Sequence, residues 1–279
     1  MILKNHILYR KTKKPIVWDA FFKNNQSNKP IVIFCHGYKG FKDWGAWDLV
    51  AKRCSDENLF FIKFNFSHNG GTVENPIDFP DLEAFAENNY TKELDDLDAI
   101  LNHILADDFQ YRNEIDTTNI TLIGHSRGGG ISIIKASEDQ RITKLVTWSS
   151  ICDFGKRSAT TGDLEQWKKH GVKYVLNGRT KQQMPHNFQF YKNFKANETR
   201  LDIESAIKRL HVPILIIHGD NDTSVKINEA NALNEWNPKS QLEIIKGANH
   251  VFNTKHPWVE KNLSKEMMVV IDKTVPFLT

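Results

Sequence analysis

Cysteine is scarce in this sequence: Cys35, Cys54 and Cys152 are the only three among 279 residues. They are scattered and form no C-x-x-C pair, which argues against a disulfide framework, a zinc ribbon or a redox pair. An excess of charge of one sign is also missing, since 37 Lys+Arg face 34 Asp+Glu for a formal net charge of +3. The basic residues are dispersed, so nothing forms the basic stripe that nucleic-acid binding needs. No apolar run approaches the roughly 20 residues of a membrane span. Residues 1–8 lack the uninterrupted apolar stretch of a signal peptide. Internal repeats and low-complexity tracts are absent. The expectation is a reduced, soluble, cytoplasmic protein with no nucleic-acid or membrane partner. With 40% hydrophobic and 25% charged residues, the composition is globular and excludes disordered, collagen-like and coiled-coil chains.

What is present is a rhythm of short apolar runs bounded by turn residues. They lie at 31–35, 59–64, 120–123, 144–148 and 214–217. All but one are nearly continuous in apolar character, as strands covered on both faces are. Helix-like stretches alternate with them. Residues 90–109 carry Leu94, Leu97, Ile100, Leu101, Ile104 and Leu105 in an i, i+3, i+4 stripe. Residues 131–138, 228–236 and 258–273 also read as helices. This alternation predicts a mostly parallel sheet with helices on both faces. Residues 7–10 and 16–21 read as a hairpin at one edge. Between residues 152 and 210 no clear strand is visible, and the segment reads as an irregular helical insertion within one domain spanning 1–279.

The sharpest signal is Gly124-His125-Ser126-Arg127-Gly128. It follows the run ending at Ile123 and opens a helix, the strand–turn–helix context of a nucleophile elbow. The tight turn leaves no room for a Cβ at its flanks, which explains the glycines. The competing reading is a glycine-rich β–α turn or a phosphate cradle, and the G-K-[ST] ending of a P-loop is absent. A serine hydroxyl needs a base, and the base needs an orienting carboxylate. In the order serine, acid, histidine, the chain offers Asp222 beyond the 214–217 strand and His250 beyond a strand at 241–246. Both positions lie at the carboxyl edge of the sheet, where such folds bind ligands. Taken singly, Asp222 could be a turn residue and His250 a surface histidine, one of 11. Asp220 and Asp153 compete for the acid role. Asp220 sits so near its strand end that it reads as a loop holder. The loop His36-Gly37-Tyr38-Lys39-Gly40 follows the first central strand. There the Tyr38 amide, together with that of Arg127, is placed to form an oxyanion hole.

Together these residues resemble the α/β-hydrolase superfamily. Within it the chain is similar to the dienelactone-hydrolase-like and cinnamoyl (feruloyl) esterase-like group, which is related to the prolyl oligopeptidase catalytic domain. The resemblance implies an α/β-hydrolase fold: an eight-stranded, mostly parallel sheet flanked by helices, with residues 152–210 as a small helical cap. It implies Ser126 as nucleophile, His250 as general base and acid, Asp222 as orienting carboxylate, and no metal or organic cofactor. Dienelactone hydrolases carry cysteine where Ser126 stands, which turns the expectation away from their lactone chemistry.

The expected activity is that of a carboxylesterase-type serine hydrolase acting on a small-molecule ester with a small, medium or aromatic acyl group. His68, Trp167, Tyr174 and Phe188 are candidate substrate contacts, although the aromatics could equally form the core of the cap. Trp44 and Trp47 read as helix-packing residues, and Lys39 and Lys42 as solvated loop lysines or attractors of an acidic substrate group. Alternatives are an acyl-peptide or aminopeptidase-type peptidase, with Glu83 or Glu87 facing an amino terminus, and a non-catalytic binding protein on the same fold. A homodimer is left open.

Overall fold

A computed structural model describes all 279 residues. Ten strands form: β1 (Ile2–Arg10), β2 (Lys13–Phe21), β3 (Lys29–Cys35), β4 (Phe60–Phe64), β5 (Ile115–His125), β6 (Lys144–Trp148), β7 (Val172–Leu176), β8 (Gln183–Asn187), β9 (Ile214–Gly219) and β10 (Gln241–Ile245). Nine α-helices interleave with them: α1 (Trp47–Asp56), α2 (Leu82–Ala86), α3 (Tyr90–Leu105), α4 (Arg127–Glu138), α5 (Leu164–His170), α6 (Gln189–Ala196), α7 (Ile203–Arg209), α8 (Ile227–Trp236) and α9 (Lys265–Leu278). Eight strands make one sheet in the order β1-β2-β4-β3-β5-β6-β9-β10. β2 runs antiparallel to both its neighbours, and the remaining pairings are parallel. No helix is long and apolar enough to cross a membrane.

The continuous apolar runs are explained by burial on both faces. In β3, Ile31, Ile33 and Cys35 join the core that includes side chains of α3, α4 and α8, while Val32 and Phe34 join the core that includes α1 and α9. Successive side chains of a strand point to opposite faces, so both sets must be apolar when both faces are covered. The stripe on α3 buries Leu94, Leu97, Ile100, Leu101 and Ile104 against the first of these cores. The edge hairpin is longer than the pattern shows, because β1 is half exposed and Lys4-Asn5-His6 interrupt its apolar residues.

Two expectations need correction. α9 starts at Lys265, seven residues after the expected position, because the Ser264 side chain accepts from the Met267 amide at 3.1 Å and caps the helix there. The 152–210 segment is not purely helical. β7 and β8 pair antiparallel within it. α7 is no cover at all, since Ile203, Ala206 and Ile207 belong to the main core.

Lys63, the polar exception in an apolar run, is fully buried with Lys42 and Asp19. Asp19 lies 2.9 Å from Lys63 and 2.8 Å from Lys42, and Asp43 also pairs with both lysines. Burial alone would raise the Asp19 pKa, but Lys63 and Lys42 hold it below the ordinary value. A depressed carboxylate stabilises the fold above its unfolded-state pKa and loses that contribution as pH falls. Asp19→Ala would leave two ammonium groups buried with one fewer counter-charge. The expected loss is about 3–5 kcal/mol, measured by urea unfolding at neutral pH, and it shrinks in acid. A change under about 1 kcal/mol would show that Asp43 suffices.

Candidate active site

The nucleophile candidate sits on a turn that its neighbours force to be tight. Ser126 has φ 56° and ψ −119°, between the end of β5 and the first residue of α4. A left-handed φ at a non-glycine residue is strained and must be held by its surroundings. Here Ser126 N donates to Trp148 O at 2.9 Å, and Ser126 O accepts from Gly129 N at 3.0 Å. A Cβ on Gly124 would lie 2.3 Å from Gly128 O, and one on Gly128 would lie 2.2 Å from Cys35 O. Only glycine fits at either place.

Asp222 and His250 come from loops beyond β9 and β10. His250 Nδ1 is 2.7 Å from Asp222 Oδ2. The other carboxylate oxygen accepts from the amides of Ser224 at 2.8 Å and Val225 at 2.9 Å. His218 Nε2 lies 2.9 Å from Val225 O and 3.4 Å from Asp222 Oδ2. Burial works to raise the Asp222 pKa, but hydrogen bonds from His218, His250 and Val225 hold it well below the usual carboxylate range. An ionised Asp222 accepts from His250 Nδ1–H, and in the neutral ring that tautomer leaves Nε2 as the acceptor. The competing acids are occupied elsewhere. Asp220 accepts from Gly247 N at 2.6 Å and holds the loop, whereas Asp153 accepts from Gly155 N at 2.7 Å and pairs with Lys156.

The loop after β3 lies against the turn, since a Cβ on Gly37 would come within 2.9 Å of Ser126 Cβ. The Tyr38 amide has no acceptor within the protein, and the Arg127 amide opens α4, where the ladder offers it none. His36 braces this loop: Nδ1 lies 2.9 Å from Gly37 O, and Nε2 accepts from Phe66 N at 3.2 Å. Burial pushes its pKa down to about 4, so the ring is neutral at physiological pH. His125 braces the other side, with Nε2 2.9 Å from the His250 carbonyl and a pKa lowered by burial, and by facing His250, to about 3. The Arg127 side chain is buried beside Glu93 at 3.2 Å, and its guanidinium covers the Tyr38 ring at 4.2 Å. The Tyr38 hydroxyl in turn lies 2.7 Å from His186 Nε2 on β8.

Two cavities meet at Ser126, and Tyr38, Ser126 and His250 line both. One, of about 230 Å³, is walled by Trp44, Trp47, Asn177 and Arg179 among others. The second, of about 410 Å³, is walled by Ile151, Arg157, Ser158 and Val225 among others. A larger cleft, about 870 Å³, lies elsewhere among Arg10, Lys92, Asp95 and Arg200.

Of the sequence candidates, Ser126, Asp222, His250, Tyr38 and Arg127 are brought together. The four substrate candidates are not, and their placement is a correction. His68 lines the 870 Å³ cleft, which shares no residue with the two cavities at Ser126. Trp167 is buried, donating to His186 O at 2.7 Å, and Phe188 packs on it. Tyr174 is exposed on β7 and lines neither cavity. Lys42 is no solvated loop lysine, being held in the buried ion cluster. Trp47 does pack in the core, against Phe34 and Trp148, yet both it and Trp44 also wall the smaller cavity. Asn177 and Arg179, from the turn joining β7 to β8, carried no motif and were not legible as site residues. Recognising the β7–β8 hairpin would have been the only pointer to them.

The BD-FAE family model matches residues 19–237, a span that includes Tyr38, Ser126 and Asp222 and ends before His250. No curated protein matches the chain. Among solved structures, Est1E from Butyrivibrio proteoclasticus with ferulic acid bound is 18% identical with a TM-score of 0.74, covering 98% of this chain and 97% of that one. DcsB in complex with its substrate analogue is 16% identical with a TM-score of 0.71, covering 98% of each chain. The esterase domain of a Rhodothermus marinus protein is 15% identical with a TM-score of 0.64, covering 99% and 97%. These likenesses carry the fold, and the family match extends over well more than half of the sequence: the chain belongs to the BD-FAE family and has the α/β-hydrolase fold.

Proposed function

We propose that this protein is a serine hydrolase that cleaves carboxylic esters through an acyl-enzyme. The observation that carries the reading is the 2.7 Å Asp222–His250 hydrogen bond, with His250 and the strained Ser126 lining the same two cavities. Ser126 Oγ attacks the ester carbonyl while His250 Nε2 takes its proton. The Tyr38 and Arg127 amides receive the developing oxyanion. The leaving alcohol then takes the proton from His250, and water, deprotonated by the same nitrogen, releases the acid. Asp222 keeps His250 in the required tautomer and offsets its charge when protonated. One cavity holds the acyl group and the other the alcohol. Trp44 and Trp47 give the smaller one flat apolar walls suited to an aromatic acyl group. The ferulic acid bound by Est1E supports an ester of this kind.

A peptidase that captures a free amino terminus would need a carboxylate facing these cavities. No aspartate or glutamate lines either one. Glu87 instead accepts from Asn187, and Glu83 lies on α2.

The test is a fluorophosphonate probe followed by peptide mapping, with a panel of p-nitrophenyl esters, methyl hydroxycinnamates and aminoacyl-p-nitroanilides. Labelling confined to Ser126 and turnover of the esters are expected. Folded protein that takes no label would overturn the reading. Turnover of the anilides above that of the esters would move it to the peptidase class.

A further inference from the structure

The two cavities at Ser126 are lined by cationic side chains and by no anionic one. Lys39 and Arg179 wall the smaller cavity, and Arg127, Lys156 and Arg157 wall the larger. Four of the five have a carboxylate partner: Arg127 pairs with Glu93, Lys156 with Asp153, Arg157 with Glu229 and Arg179 with Asp78. None of these carboxylates lines the cavity that its partner walls. Lys39 has no carboxylate partner. Its ammonium donates to the Leu176 carbonyl at 2.9 Å and lies 5.0 Å from the centre of the Tyr38 ring. One carbonyl uses one of its three donors. Lys39 also takes φ 56°, a conformation that glycine would adopt without strain, so the backbone there gives no reason for a lysine.

We propose that the substrate is an ester bearing a second, anionic group, a carboxylate or a phosphate, which the Lys39 ammonium holds in the smaller cavity while Ser126 attacks the ester carbonyl. This rests on the esterase reading and adds the charge of the substrate to it. The anion supplies the counter-charge that Lys39 lacks, and the free donors of the ammonium meet its oxygens. The aromatic walls formed by Trp44 and Trp47 lie in the same cavity, so the group between ester and anion is a short apolar one. Partial burial, and next the nearby Arg127, lower the Lys39 pKa. An anion bound there acts in the opposite direction.

The experiment compares matched esters that differ in one charge, on either side of the ester. Monomethyl adipate is set against dimethyl adipate, and the butyryl ester of glycolic acid against ethyl butyrate, each followed by pH-stat titration. In the native protein at least one anionic member is expected to have a kcat/KM on the order of 10- to 100-fold above its neutral partner. The advantage sits in KM, and it shrinks as salt is raised. In Lys39→Gln the anionic-to-neutral ratio collapses toward one, whatever happens to the absolute rates, and Lys39→Arg restores it in part. Equal turnover of charged and neutral partners on both sides would overturn the anion proposal and leave the esterase reading standing. A ratio unchanged by Lys39→Gln would remove Lys39 from it. Turnover of no ester at all, with Ser126 unlabelled, would overturn both.

Discussion

Ser126→Ala is expected to abolish ester turnover, with kcat falling by about 10⁶, while the folded protein melts where the native one does. The two halves of this result have separate causes. Loss of activity follows because a methyl group cannot form the acyl bond. The retained stability follows from what holds the turn. Ser126 is fixed by its backbone, through Trp148 O, Gly129 N and Ile151 N, and alanine keeps all three contacts. The Cβ that strains φ 56° is present in both residues, so the strain is unchanged. A clean preparation that keeps its kcat would refute Ser126 as nucleophile. A large drop in melting temperature would mean that the hydroxyl has a structural role that the hydrogen bonds do not reveal.

Asp222→Asn is expected to cost on the order of 10⁴ in kcat. Asparagine is nearly isosteric, so the mutation isolates charge and tautomer. Its carbonyl oxygen would keep the bonds from the Ser224 and Val225 amides, which turns the NH₂ toward His250 Nδ1. An amide that donates there forces the proton of neutral His250 onto Nε2, the nitrogen that must accept from Ser126. The measurement is kcat on protein whose circular dichroism matches the native spectrum, with Asp153→Asn and Asp220→Asn beside it. Those two carboxylates hold loop amides of Gly155 and Gly247 and do not touch His250. Both variants are expected to retain most of the activity. A greater loss from Asp153→Asn than from Asp222→Asn would reassign the acid.

Much of the arrangement was legible because it is written in local chemistry. Glycines at 124 and 128 are demanded by atoms within 3 Å of where their side chains would be, and such demands leave a pattern in the chain. The continuous apolar runs report two covered faces directly. The pairing of Asp222 with His250 was legible from order alone, because each follows its own strand to the same edge of the sheet. The cavity walls were not legible. Asn177 and Arg179 reach the site only because β7 and β8 form a hairpin, and β8 reads Gln-Met-Pro-His-Asn, with neither apolar alternation nor β-branched residues. Trp167 and Phe188 misled for the converse reason. Aromatic residues in an insertion serve its own packing as readily as a ligand, and sequence order does not say which way a ring faces.

The buried ion cluster at the sheet edge has a consequence beyond stability. Asp19 and Lys63 are direct cross-strand partners in the antiparallel pairing of β2 with β4. A slip of one residue would turn either strand over and carry its charged side chain to the face occupied by Trp18, Ile62 and Phe64. The cluster therefore selects one alignment of two strands that are otherwise rich in interchangeable apolar residues. It also reaches the chemistry. Lys63 donates to Lys42 O at 2.8 Å, and Asn65, just past β4, accepts from Lys42 N at 2.6 Å. Lys42 lies four residues beyond Tyr38, so the bonds that choose the strand alignment also anchor the loop carrying the Tyr38 amide. A chain that mispaired this edge would misplace that amide as well.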